Sequence, residues 1–159
     1  GLRELAQHWI AGFRNLSLSR LLVSYLAMRQ LLSMFGLYDI AGHAQTVRPL
    51  LAPMSEQAAA RDAPIDTSTR MRVRALAAAT DNIGRFFGED VFLAFAGVLL
   101  IQRFYAGQGI ALEPFAIARW ALPTAIAAFV IHALRVAWAQ RAIDRAQRKG
   151  AAGASDAAR

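Results

Sequence analysis

Trp120-Ala-Leu-Pro-Thr-Ala-Ile-Ala-Ala-Phe-Val-Ile-His-Ala-Leu134 contains no Asp, Glu, Lys or Arg, and it is the middle of a longer apolar run from Phe115 to Trp138. A run of this length is read as a membrane span, because about 20 apolar helical residues cross the hydrocarbon core. Trp120 and Trp138 lie near its ends, where indole rings favour the membrane–water interface. Pro123 predicts a bend near the start of the helix, which membrane helices tolerate. Beyond it, residues 139–149 carry Arg141, Arg145, Arg148 and Lys149 and read as a basic polar helix. The last residues, 150–159, are small and polar and are expected to form a disordered tail.

Working back towards the start, Val91 to Leu112 is a 22-residue apolar segment with Arg103 as its one charge. Leu21 to Tyr38 is a third, rising about 27 Å as a helix. Arg29 sits near its middle, and Tyr25, Arg29, Ser33 and Gly36 share one helical face. That face should meet protein or water, since a charge facing lipid is costly. The alternative is a half-buried helix of a soluble bundle with Arg29 paired on its surface. Residues 1–16 show amphipathic helical spacing (Leu2, Leu5, Trp9, Ile10, Phe13), suited to a membrane interface or to packing on protein. The segment 61–69 is polar, holds Pro64 and ends in Ser/Thr residues able to cap a following helix. Arg70, Arg72 and Arg74 follow; three cations oppose the dipole at a helix start and fit lipid headgroups better.

The totals agree with a membrane reading. The 159 residues suit one domain and are 56% hydrophobic, with a mean hydropathy of +0.31. Ordinary soluble domains are less apolar. Lys and Arg number 18 against 11 Asp and Glu, giving a pI near 11.2. Such a balance first suggests nucleic acid. The arginines instead cluster at the ends of apolar segments, where they reach headgroups, so no nucleic-acid partner is expected. Cysteine is absent, which excludes disulfides and thiolate chemistry. The first residue is Gly and no signal-peptide pattern follows, so an N-terminally incomplete chain is expected. Basic loops mark the cytoplasmic side. By that rule residues 61–74, 135–149 and the N-terminal region lie inside, and the 105–114 link lies outside.

Two polar stretches interrupt the apolar sequence. Gly36-Leu-Tyr-Asp-Ile-Ala-Gly-His-Ala-Gln-Thr-Val-Arg-Pro49 holds Asp39, His43, Gln45, Thr46 and Arg48 between helix-perturbing residues. Thr80-Asp-Asn-Ile-Gly-Arg-Phe-Phe-Gly-Glu-Asp90 has the same character. Both predict backbone breaks at Gly, of the kind that present free amides to anions in transporters. The short return over 42–60 then reads as a broken or re-entrant helix. In the first stretch Thr46 and Arg48 suit a carboxylate, while His43 and Gln45 suit a carbonyl or amide. In the second, Thr80 and Asn82 are candidate substrate contacts. Asp81, with Asp39, is the candidate for a coupling proton or cation. The competing reading pairs Asp81 with Arg85 as an ordinary i,i+4 ion pair. Glu89 and Asp90 read as a membrane boundary.

An enzyme is not expected. The three His residues (His8, His43, His132) lack metal-ligand spacing, and there is no nucleophile elbow or phosphate loop. His132, within an apolar helix, is read as a packing residue. No metal and no cofactor is called for.

Gly42-His-Ala-Gln-Thr-Val-Arg-Pro-Leu-Leu-Ala-Pro-Met54, Ala77-Ala-Ala-Thr-Asp-Asn-Ile-Gly84 with Phe86-Phe-Gly-Glu-Asp90, and Leu122-Pro-Thr-Ala-Ile-Ala-Ala-Phe129 resemble a bacterial inner-membrane family. It is catalogued as domain of unknown function 969 and as one subunit of a 5-oxoproline transporter. The resemblance runs from about residue 1 to 148 and looks like the C-terminal portion of that family. It implies a second, larger membrane subunit as partner and 5-oxoproline, a small carboxylate with a lactam, as substrate. It carries no residue roles.

The expected protein is all-α: a polytopic helical membrane domain over residues 1–149, with about three apolar spans plus broken or re-entrant helices. It sits in the bacterial inner membrane with its C-terminus cytoplasmic. Its expected role is a membrane subunit of a two-component secondary transporter for 5-oxoproline or a similar small carboxylate. The alternative is a non-transporting subunit that stabilises or regulates a membrane partner.

Overall fold

A computed structural model describes residues 16–37, 50–60, 63–92 and 96–157. Among them the protein is all-helical, with five α-helices and no strand: α1 (Leu18–Met34), α2 (Ala52–Ala59), α3 (Thr67–Glu89), α4 (Ala96–Gly107) and α5 (Pro114–Ala157). The amphipathic segment over residues 1–15 and most of the first polar stretch lie outside the described residues.

The ends of these helices follow from local chemistry. α1 stops at Gly36, whose φ of 75° is left-handed and favours glycine. The Leu37 amide donates to Leu32 O (2.8 Å) and the Gly36 amide to Ser33 O (3.0 Å), the paired bonds of a Schellman turn. Gly109, at φ 77°, repeats the arrangement after α4, with Ile110 bonded to Tyr105 O and Gly109 to Ala106 O. Pro53 occupies the first turn of α2, where its missing N–H costs nothing. The N-cap of α3 is Asp66 rather than a Ser or Thr. Its carboxylate accepts from the Thr69 amide at 2.8 Å and is held below its usual pKa first by the Thr69 side chain and then by that amide.

Three helices make the core. α1 and α3 run parallel, since Asp81 faces Tyr25 and Arg29 while Gly88 faces Gln30 and Ser33. α5 runs antiparallel to both. The Ser19 amide donates to Gln140 Oε1 (2.8 Å), and Gln30 Nε2 donates to the Ala125 carbonyl (2.9 Å). Leu18, Leu21, Leu22, Val73, Leu76 and Val136 fill the space between them. α2 closes one end, where Gln147 Nε2 on α5 donates to the carbonyls of Ala59 and Ala63.

Small residues set how closely α1 and α3 approach. A Cβ added at Gly88 would lie 2.5 Å from both Gln30 O and Ser33 Cβ, and one at Gly84 would lie 3.0 Å from Arg29 Cβ. Gly84-Arg-Phe-Phe-Gly88 is thus a small-xxx-small packing face, as in tightly associated membrane helices.

α5 is the one helix among the described residues that is long and apolar enough to cross a membrane. Only 11% of its most apolar 18-residue window is buried. Trp120 and Trp138 are 72% and 65% exposed, and Ile126, Ile131 and Leu134 also point outward. A soluble core helix would bury such a face, whereas a lipid-facing helix leaves it open.

Several expectations need correction. The stretch 80–90 is not a break: α3 runs unbroken from Thr67 to Glu89, and its glycines serve close packing rather than a turn. Among the described residues, the segment 91–112 shows no helix of spanning length. Its helix, α4, has 12 residues and rises about 18 Å against a hydrocarbon core of about 30 Å. Residues 150–157, expected as a disordered tail, continue α5 as helix. Arg70 and Arg74 are not simply headgroup contacts, since both approach Glu56 on α2.

Candidate functional site

The three core helices enclose a polar seam. Arg29 Nε donates to Asp81 Oδ1 at 2.8 Å, and the Tyr25 hydroxyl donates to the same oxygen at 2.7 Å. Arg29 is 0% exposed and Asp81 1%. The helical spacing of Tyr25 and Arg29 puts both on the α1 face that meets α3, as the sequence indicated. Gly84, one turn beyond Asp81, leaves room for the Arg29 stem against the α3 backbone.

Thr80, the neighbour of Asp81, links the seam to α5. Its hydroxyl donates to Leu76 O (2.8 Å), one turn back, and lies 2.9 Å from His132 Nε2. A hydroxyl has one hydrogen to give. With that hydrogen on Leu76 O, His132 donates from Nε2, and its Nδ1 is left as an acceptor. Nδ1 is buried and has no hydrogen-bond partner among the described residues. His132 is therefore more than packing: it is a buried polar link between α5 and α3 with half of its capacity unused.

The seam is not in itself a source of stability. A buried ion pair can often be replaced by apolar residues at no loss, whereas removing one partner typically costs about 3–5 kcal/mol. Ionisable groups buried between membrane helices tend to mark substrate or ion pathways. The arrangement can hold charge away from lipid, and it can exchange partners if a competing anion or cation arrives.

Of the candidate residues, Thr80 and Asp81 are drawn together in this seam. Asp81 is not an unpaired carboxylate, because Arg29 and Tyr25 hold it. Arg85 extends the other way, its Nε donating to Glu89 Oε1 at 2.6 Å. Asn82 is exposed on the outer face of α3, beside Arg85 and Phe86 in an open groove. One helical step of about 100° separates it from Asp81, so it does not join the seam. Asp39, His43, Gln45, Thr46 and Arg48 lie outside the described residues.

Tyr25, Arg29, Gln30 and His132 belong to the seam and were not named as site residues. The signal for Arg29 and Asp81 was present: each is a charge in an apolar surrounding, and opposite charges so placed need one another. Nothing in the spacing showed that α1 and α3 are neighbours.

These features define an all-helical protein built on a three-helix core, with one helix suited to a membrane and a buried ion pair between two others. The chain belongs to the DUF969 family of proteins of unknown function, whose sequence profile matches residues 1–144. No curated protein and no solved structure matches it.

Proposed function

We propose that this protein is the membrane subunit of a two-component secondary transporter for 5-oxoproline or a similar small carboxylate. It would work with a second, larger membrane subunit in the bacterial inner membrane. The observation that carries the reading is the Arg29–Asp81 pair, buried between helices whose neighbour α5 turns its apolar face outward.

In this reading α1, α3 and α5 cross the bilayer, with α3 in place of the 91–112 segment. α2 sits at one end of the bundle, against α3 and α5. The polarity of the bundle supports this orientation. Arg20, Arg70, Arg72 and Arg74 begin α1 and α3 at the end where α5 carries Arg141, Arg145, Arg148 and Lys149. That end is the cytoplasmic one, and the C-terminus lies there. Thr46 and Arg48, with His43 and Gln45, are the proposed contacts for the substrate carboxylate and lactam. Thr80 and Asn82 are further proposed contacts. Asp81 is the proposed coupling group, with Asp39 as a second acidic candidate. Asp81 would act by releasing Arg29 when a proton or cation arrives.

The second reading is a non-transporting subunit that stabilises a partner. It is favoured by one fact: Arg29 and Asp81 are closed off from the surface and already compensate one another. Uptake of labelled 5-oxoproline by cells carrying both full-length subunits separates the two. Transport predicts uptake that disappears with Arg48→Ala; a structural subunit predicts uptake unchanged by Arg48→Ala.

A further inference from the structure

We infer that the groove between α3 and α5 at the basic end of the bundle binds an anionic phospholipid, with its phosphate held by Arg72 and Arg135. The groove is walled by Val73, Leu76, Ala139 and Ile143 and is rimmed by these two arginines. Four arginines of α1 and α3 are committed to carboxylates. Arg29 holds Asp81, Arg70 and Arg74 approach Glu56, and Arg85 holds Glu89. Arg72 and Arg135 have no ion-pair or hydrogen-bond partner among the described residues. Asp66, which feels the charge of Arg72, has its carboxylate committed to the Thr69 amide.

Two uncommitted cations from different helices flank an apolar cleft, so the complementary ligand has an anionic head and an apolar body. Basic pockets between membrane helices on the cytoplasmic side hold acidic headgroups in this way. The exposed Trp138, one turn from Arg135, sets this level at the membrane interface. The long arginine stems can lie along the apolar wall while their guanidinium groups reach the phosphate. A free anion would leave that wall uncovered, which favours a lipid.

The inference rests on the membrane placement of α5 proposed above. It is tested by native mass spectrometry of the full chain in detergent, titrated with phosphatidylglycerol, phosphatidylcholine or inorganic phosphate. Phosphatidylglycerol should be retained in preference to phosphatidylcholine. Each of Arg72→Gln and Arg135→Gln should lower that retention about fivefold, from ~1 kcal/mol per headgroup-contacting cation. Arg145→Gln, outside the groove, should not change it. Equal retention of the two lipids, or of phosphatidylglycerol in the double variant, overturns the groove as a lipid site while leaving α5 in the membrane. Binding of inorganic phosphate with the same dependence on Arg72 and Arg135 also overturns it, as a free-anion site. A chain that stays soluble and monodisperse without detergent overturns the membrane placement itself.

Discussion

Asp81 accepts hydrogen bonds from Tyr25 and Arg29 on one oxygen, and this shared acceptor ties α1 to α3 at the centre of the core. Asp81→Asn leaves Arg29 buried without its counter-charge. It should destabilise the protein by roughly 3–5 kcal/mol, seen as a lower thermal midpoint in detergent. Tyr25→Phe removes one hydrogen bond to a charged acceptor and should cost about 1.5–3 kcal/mol. Gly88→Ala acts differently, since its Cβ would meet the Gln30 carbonyl at 2.5 Å and force the two backbones apart. The expected loss is about 1–3 kcal/mol or more. Gly107→Ala is the control: nothing lies within 4 Å of the added Cβ. It should be neutral or slightly stabilising under the same thermal assay, since Ala is the better helix former. Sequence placed Tyr25, Arg29 and Ser33 on one protected face because that needs only the period of a helix. It misassigned Gly84 as a turn residue, because a glycine that permits a close crossing and one that breaks a helix look alike until the neighbouring helix is known.

The start of α3 depends on Asp66. Its pKa is lowered first by the Thr69 side chain and then by the Thr69 amide, so the folded state favours the carboxylate. The stabilisation is therefore present above the ordinary carboxylate pKa and is lost as pH falls through the lowered value. Hydrogen exchange at the Thr69 amide should accelerate relative to mid-helix amides in that acidic window. Asp66→Asn keeps a capping oxygen without a titrating group and should remove the pH dependence while retaining protection. The end of α1 at Gly36 was readable in advance because its chemistry is local, whereas the start of α2 at Pro53 was not. Nor was the start of the 91–112 segment, because apolar composition alone does not say where one helix ends: Val91 and Phe92 complete the turn after α3, while α4 closes at Gly107 and Gly109.

Among the described residues, the protein has a polar seam inside, an apolar face on α5 outside, and a basic end formed by Arg20, Arg70, Arg72, Arg74, Arg141, Arg145, Arg148 and Lys149, while Arg85, Arg103 and Arg119 lie away from it. That combination is unfavourable in water and suits a bilayer, where the apolar face is solvated by lipid and the cationic end by headgroups. The chain should fractionate as an integral membrane protein, resisting alkaline carbonate extraction and released by detergent; release by carbonate would contradict α5 as a span. The all-helical class and one candidate span, α5, were legible from hydropathy and periodicity. The parallel pairing of α1 with α3 was not, because it depends on a crossover through residues 37–66 whose path no periodicity records.

The central claim is that the Arg29–Asp81 pair serves transport and not only assembly. The direct measurement is 5-oxoproline uptake in cells expressing both subunits with the double variant Arg29→Gln/Asp81→Asn. This variant removes both charges together and avoids leaving either one buried alone. The account predicts that the double variant reaches the membrane at normal abundance, keeps its thermal midpoint within a few degrees of the parent, and loses uptake. Normal uptake by that variant would contradict the account and leave the pair as a structural tie between two helices.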